Sequence, residues 1–407
     1  MTNVFAAKRI VVGITGSIAA FKVAGWVSTL TKEEAQVAVV MTESACKFIA
    51  PLTFAALTGE KVYTSMFAEE QSGTAMAHIE LAQEASVFLI APASAHTIAR
   101  LAHGMADDLL STAVLATKAP VVVCPAMNTQ MYLHKATQEN ISRLRDLGYL
   151  VIDPASGTMA CKEKGPGRLV EWDVVHETLL RCFKENDFRG EHVLVTAGPT
   201  REHIDPARFI SNRSSGKMGY ALAEAASRRG AKVTLVSGPT SLACPYGVDR
   251  IDVQTAEEMY QVMMREFPNC TILIKAAAVS DFRPAQVYAE KVKKENADGS
   301  IKLTANPDIL YEIGRLRREA HQVVVGFAAE SCNLHEEGKR KLRKKNLDLI
   351  AVNDISLDTT GFEVDTNRIL LIDAQESKQL PFGTKSETAD MILNHIVNRF
   401  RCNTPYC

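Results

Sequence analysis

The feature that most constrains this chain is a rhythm. Short runs rich in Val and Ile end in Gly or hydroxyl turns, and a stretch with helical spacing follows most of them. RIVVGITGS (9–17), QVAVVMTES (36–44), SVFLIAPAS (86–94) and PVVVCPAMN (120–128) are the first four such runs. IAAFKVAGWVSTLTK, LAHGMADDLLSTAVLA and KATQENISRLRDLG read as helices between or after them, and YLVIDP as a further strand. An apolar run without polar alternation must be buried on both faces. The pattern therefore predicts a parallel sheet covered by helices on both sides.

The rhythm weakens over residues 155–170, where SGTMACKEKGPGRLVEW is rich in Gly and Lys and reads as a loop. VVHETLLRCFKENDF reads as a closing helix. The rhythm then restarts with HVLVTAGPT (192–200), a helix over 216–229, KVTLVSGPT (232–240), RIDVQ, TILIKAAAVSD (271–281), QVVVGFAAE (322–330) and LDLIAVND (347–354). NRILLIDA and KQLPF predict a terminal hairpin, and KSETADMILNHIVNRF a last amphipathic helix. At 407 residues the chain is long enough for two such domains. The expected boundary falls near residue 190, giving an α/β fold with two Rossmann-like domains over 1–190 and 191–407.

A net charge of −1 gives no footprint for bulk nucleic-acid or anionic-membrane binding. No apolar run approaches the roughly 20 residues of a membrane span. Lys8 and Arg9 interrupt the apolar start, so no signal peptide is expected. The nine cysteines are odd in number and never spaced as CxxC, which argues for reduced thiols in a cytoplasmic protein.

In an open parallel sheet, ligands bind beyond the carboxyl ends of the strands. Gly16-Ser17, Thr42, Ser94 and Pro125-Ala126-Met127-Asn128 all fall there. Hydroxyls and helix N-termini suit a phosphate monoester, although each hydroxyl taken alone reads as a helix N-cap. No turn is GxGxxG, the glycine pattern a nicotinamide site requires. SSGKMG near residue 216 is not a Walker A loop, because Met218 follows the lysine. Cys161 is followed closely by Lys162 and Lys164 in a Gly-rich stretch, where positive neighbours lower a thiol pKa. Lys341 and Lys345, four residues apart, share one helix face, although lysine runs are commonly solvated.

GITGSIAAFK, HIEL, APASAHT, ADDLLSTAVLA, PAMNTQM and ACKEKGPGR occur in the order found in bacterial phosphopantothenoylcysteine decarboxylases. The first half therefore resembles the flavin-dependent cysteine decarboxylases, which implies a flavodoxin-like domain holding FMN. The resemblance implies that flavin oxidation of the substrate thiol makes an electron sink, so that CO₂ can leave. His78 matches the family's base, Asn128 its carboxylate-binding asparagine and Cys161 its proton donor. Gly16, Ser17, Thr42 and Ser94 fall on the flavin side. Three positions depart from the family pattern: His96 stands where Asn is usual in PASANT, and Lys162 and Leu169 where Gly and Met are usual in ACGxxGxGRM.

AGPTREHIDPARFISNRSSGKMGYALAE (197–224), KAAAVSDFRP, EKVKK, NPDIL, VGFAAE and KKNLDLIAVND resemble the phosphopantothenate–cysteine ligase half of bifunctional coenzyme A biosynthesis proteins. That resemblance implies activation of 4′-phosphopantothenate by CTP, with Mg²⁺, followed by attack of L-cysteine on an acyl cytidylate. Arg208 and Asn212 match residues of the cytidylate step, and Lys291 a lysine at the triphosphate. Ala276, Ala277, Asp281, Pro307, Asp308, Ile309, Leu310, Phe327, Lys341 and Lys345 match nucleotide contacts. No metal ligands can be assigned. The resemblance also implies homo-oligomers, with trimeric flavin-domain and dimeric ligase-domain contacts. Three rival readings carry less: a non-catalytic flavoprotein subunit, which would need His78 or Cys161 lost; a nicotinamide oxidoreductase; and a decarboxylase of peptide C-terminal cysteines, which the ligase-like half opposes.

Overall fold

The computed structural model describes residues 4–67, 76–158, 162–293, 299–317, 322–356 and 364–401. The chain divides into two compact units, Met1–Lys184 and Glu185–Cys407.

In the first unit, β1 (Arg9–Ile14), β2 (Gln36–Met41), β3 (Val62–Tyr63), β4 (Val87–Ala93), β5 (Val121–Pro125) and β6 (Leu150–Val151) form one parallel sheet. Its order is β3-β2-β1-β4-β5-β6. Strand β3 is a two-residue extension of the edge. Without it the order is that of flavodoxin, with the reversal between β1 and β4. Side chains alternate between two cores. Ile10, Val12 and Ile14 face one with Val27 and Leu30 of the helix Ala20–Lys32. Val11, Phe88 and Ile90 face the other with Ile98, Leu110 and Leu144.

Two local expectations change. The segment 101–116 is two helices, Ala95–His103 and Leu109–Ala116, rather than one. Gly104 ends the first in the left-handed region, and the Asp108 capping box starts the second. The expected loop over 155–170 contains an antiparallel pair, β7 (Ala155–Thr158) and β8 (Lys164–Arg168). Its Gly and Lys content hides a strand signal, because contacts to a neighbouring turn hold it rather than a buried apolar face.

In the second unit, β9 (His192–Ala197) is central. β10 (Arg201–Asp205) and β11 (Arg208–Ser211) form a hairpin, and β12 (Lys232–Ser237), β13 (Val248–Asp252) and β14 (Ile272–Lys275) return to the sheet. β15 (Phe282–Pro284) pairs with β16 (Leu303–Ala305). β17 (Val323–Glu330) and β18 (Leu349–Asp354) complete the parallel part. β19 (Thr366–Asn367) precedes β20 (Ile369–Asp373) and β21 (Ser377–Gln379), the expected hairpin, whose β20 adds antiparallel to β18. The main order is β13-β12-β9-β14-β17-β18-β20-β21, again reversing beside the first strand. The helix Lys385–Ile396 follows β22 (Gly383–Thr384) and buries Ala389, Ile392, Leu393 and Ile396 in the core under β9. No helix among the described residues is long and apolar enough to cross a membrane.

Candidate active sites

The first site grows from the reversal between β1 and β4. Thr15 is fully buried there. Its hydroxyl donates to the Pro92 carbonyl (2.6 Å) and accepts from the Ser94 N–H (2.9 Å), tying the two strand ends together. Thr15 was not among the expected site residues, because GITGS reads simply as a turn. Thr15→Val keeps the shape and leaves both backbone groups buried and unpaired. We expect it to cost about 1–3 kcal/mol, read as a lowered unfolding midpoint of the first unit.

The three hydroxyls stand at the ends of adjacent strands β2, β1 and β4. Thr42 Oγ1 caps Ala45 N–H at 3.3 Å, and Ser94 Oγ caps Thr97 N–H at 3.3 Å. Ser17 Oγ accepts weakly from Ala19 N–H at 3.4 Å. At Gly16 a Cβ would come within 2.5 Å of Ser44 Cβ, so the turn closes tightly on the β2 loop.

A cavity of about 430 Å³ opens beside this row. Ser17, Ile18, Phe21, Met127, Asn128 and Arg168 are among its lining residues. Neither Thr42, Ser94 nor His78 lines it. His78 is the partly buried second residue of the helix Ala77–Glu84. His96 is exposed in the first turn of Ala95–His103.

The β7–β8 hairpin sits directly on the PAMN turn. Met127 N–H donates to the Gly167 carbonyl (2.9 Å), and Asn128 Nδ2 donates to Glu163 Oε2 (2.6 Å). Asn128 Oδ1 also caps Gln130 N–H at 2.8 Å. The asparagine thus serves the turn with its oxygen and offers its amide nitrogen to a carboxylate. Cys161 lies outside the described residues. Beside it, Lys162 has φ +67°, the left-handed region that glycine adopts without cost. The exchange from the family's usual glycine keeps that conformation and adds strain of about 1–2 kcal/mol.

In the second unit, Thr196 and Thr200 repeat the device of Thr15. Their hydroxyls accept from Ala277 N–H and Ser280 N–H, both at 3.1 Å, across the reversal between β9 and β14. A cavity of about 540 Å³ lies at these strand ends. Asn212, Ala276, Ala277, Asp281, Phe327, Lys341 and Lys345 all line it. Asn212 Nδ2 donates to the Val279 carbonyl (2.9 Å), which fixes β11 to the Ala276–Val279 segment.

The remaining expected contacts stand apart from the cavity lining. Ile309 and Leu310 are core side chains at the start of the helix Ile309–Leu316. Asp308 caps that helix through Tyr311 N–H (3.2 Å) and pairs with Lys345 at 2.9 Å. Burial pushes the Asp308 carboxyl up, but its bond to Lys345 leads the effects that hold it below its ordinary range. Pro307 precedes it without lining the cavity. Arg208 forms a two-pronged pair with the buried Asp205, and its Nη2 also donates to the Val292 carbonyl (3.0 Å). The Arg208 bond holds the Asp205 carboxyl well below the usual carboxylate range. Asp205 also accepts from Val292 N–H at 3.2 Å, so the pair anchors the segment next to the exposed Lys291.

Several cavity residues went unread in the sequence. Lys217, Lys275, Lys385, Asn353 and Asn367 line the cavity. Lys275 had a signal, as the lone charge closing the apolar run TILIK. Lys385 had none, since it opens an ordinary amphipathic helix.

Comparison with known proteins decides the family. The model for "Flavoprotein" matches residues 4–184, and that for "DNA/pantothenate metabolism flavoprotein C-terminal domain" matches residues 188–400. A relative from Haemophilus influenzae, "Coenzyme A biosynthesis bifunctional protein CoaBC", is 46% identical, over 97% of this chain and 98% of its own. The chain belongs to this family. A Bacillus subtilis protein of the same description is 43% identical over 96% of each chain. Among solved structures, the C-terminal domain of a protein of that description is 40% identical, covering 52% of this chain and 96% of its own, with a TM-score of 0.45. The bifunctional family joins a phosphopantothenoylcysteine decarboxylase to a phosphopantothenate–cysteine ligase, and this chain is such an enzyme, acting on pantothenate-derived substrates and cysteine.

Proposed function

We propose that residues 1–190 carry the decarboxylase, with FMN, and residues 191–407 the CTP-dependent ligase. The observation that carries the first assignment is the seating of the β7–β8 hairpin on the PAMN turn. It brings the two most specific motifs of the first half to one cavity. Gly16, Ser17, Thr42 and Ser94 would hold the flavin phosphate at the strand ends, and Ile18, Phe21 and Met127 offer apolar walls that suit a planar ring. When bound, FMN would supply the two-electron oxidation of the substrate thiol that lets CO₂ leave and, once reduced, would return both electrons to restore the product thiol.

The chain's own groups do the rest. Asn128 Nδ2 donates to the substrate carboxylate; a neutral amide holds the anion without locking in its charge. His78 takes the thiol proton, and Cys161 returns a proton to the product carbanion. In the second unit, Ala276 and Ala277 let the backbone approach the base, with Phe327 beside it, and Asp281 takes the ribose or base edge. Lys291, Lys341 and Lys345 meet the phosphates, with Mg²⁺ neutralising the chain. Asn212 holds the acyl cytidylate, and Arg208 keeps Val292, the neighbour of Lys291, in place. The working form is a cytoplasmic homo-oligomer with trimeric flavin-domain and dimeric ligase-domain contacts, binding neither nucleic acid nor membrane.

The test is the visible absorption spectrum of the purified protein, with any released chromophore identified by mass. Flavin bands and the mass of FMN are the expected result. A colourless protein that takes up no added FMN would remove the decarboxylase half of the proposal and leave the ligase half standing.

A further inference from the structure

The lysines of the second-unit cavity differ in one respect. Lys217 pairs with Asp365 at 2.5 Å, Lys341 with Glu330 at 2.6 Å, and Lys345 with Asp308 at 2.9 Å. Lys385 is buried and donates to the Val364 carbonyl. Lys275 has no carboxylate within ion-pair distance among the described residues. Its Nζ reaches only the Ala277 carbonyl, at the long distance of 3.5 Å.

Its place in the fold explains this. Lys275 ends β14, and alternation along the strand sets it on the side of Leu273. Leu273 packs in the core with Ile309, Leu310 and Leu347. The lysine stem therefore rises from an apolar layer, and its ammonium emerges under the cavity between Ala276–Ala278 and the lysine-bearing helix Leu334–Lys344. Burial, then the nearby Lys345 ammonium, push it down to about 8, with Asp308 and Asp281 opposing and Lys341 adding to the fall. Lys217, Arg213 and Lys385 supply the other positive charge of the cavity wall.

A poorly solvated cation without a counterion destabilises the empty protein. It is compensated when a polyanion arrives. We propose that Lys275 is a nucleotide-binding residue of the ligase, whose ammonium takes an oxyanion of the CTP phosphate chain that no carboxylate of the protein supplies. The inference rests on the reading of this cavity as the CTP site. The sign of the pH effect follows. Binding raises the Lys275 pKa above its free value, so its contribution is full below about pH 8 and fades as pH rises from there toward the bound value.

The experiment is titration of the full-length protein with CTP and, separately, with 4′-phosphopantothenate, at several pH values, together with thermal unfolding of the ligand-free forms. The wild type should bind CTP roughly tenfold more weakly at about pH 9 than at about pH 7.5. Lys275→Met should weaken CTP by about tenfold or more at about pH 7.5. It should also raise, not lower, the unfolding midpoint of the empty protein, which loss of a structural residue would not do. Lys275→Arg keeps its charge at all these pH values. It should retain CTP binding and flatten the pH dependence to roughly threefold or less, the remainder belonging to Lys385, whose burial and Lys217 neighbour also push it down to about 8. Unchanged CTP affinity and pH profile in both variants would overturn the proposal while leaving the cavity's assignment intact. A loss confined to 4′-phosphopantothenate would overturn the choice of ligand. Absence of CTP binding by the wild type would sink the cavity's assignment and this inference with it.

Discussion

Asn128→Asp should abolish most decarboxylation while leaving ligation untouched. The exchange removes the Nδ2 donor and places a carboxylate 2.6 Å from where Glu163 Oε2 now sits. It also sets like charge against the substrate carboxylate. Losing one well-aimed donor in a dry site costs about 10²–10³ in rate, and the added repulsion carries the expected fall in kcat/KM to about 10³. Asp can still cap Gln130 N–H, as Asn128 Oδ1 does now, so the turn should survive. Bound flavin and the CTP-dependent rate, measured on the same preparation, should stay within about twofold. An activity close to wild type would show that the turn reading of Asn128 is the right one.

Gly167→Ala should have an effect of similar size for a different reason. The residue has φ +132°, and a Cβ there would lie 2.4 Å from the Met127 carbonyl oxygen. That oxygen belongs to backbone and cannot swing aside. The hairpin must lift from the PAMN turn, breaking the Met127–Gly167 bond. A displacement of about 1 Å at a reacting centre costs about 10² in rate. We expect decarboxylation to fall at least that far. Far-UV circular dichroism and ligase turnover should be unchanged, because the affected contacts all lie within the first unit. Retained decarboxylation would mean that the hairpin's seat on the turn is not needed for chemistry.

The sheets were legible because their strands are buried on both faces, which leaves an uninterrupted apolar signature. RIVVGI, VFLIAPA, HVLVTA and ILIK all fall where their composition places them. The β7–β8 pair was not legible, since Gly165 and Gly167 are there for close approach to Thr129 and Met127 and carry no strand propensity. The same logic divides the site residues. Asn128 and Asn212 stand out within specific motifs, and each is held by a hydrogen bond beside a cavity. Thr15, Thr196 and Thr200 were missed because a hydroxyl that ties two strands together looks, in one dimension, like any turn residue. Ile309 and Leu310 show the converse: they belong to a motif matched for its ligand, yet their side chains build the core.

The ion pairs of the ligase cavity have a consequence for how a highly charged guest enters. With Asp365, Glu330 and Asp308 already holding Lys217, Lys341 and Lys345, the empty cleft carries its counterions covalently attached. On the reading of this cavity as the CTP site, a triphosphate meets three lysines that are already paired, with Lys275 left to it unpaired by any carboxylate among the described residues. It trades places with tethered carboxylates, each of which must swing toward water as a phosphate takes over its lysine. Entry is then an exchange reaction inside the protein.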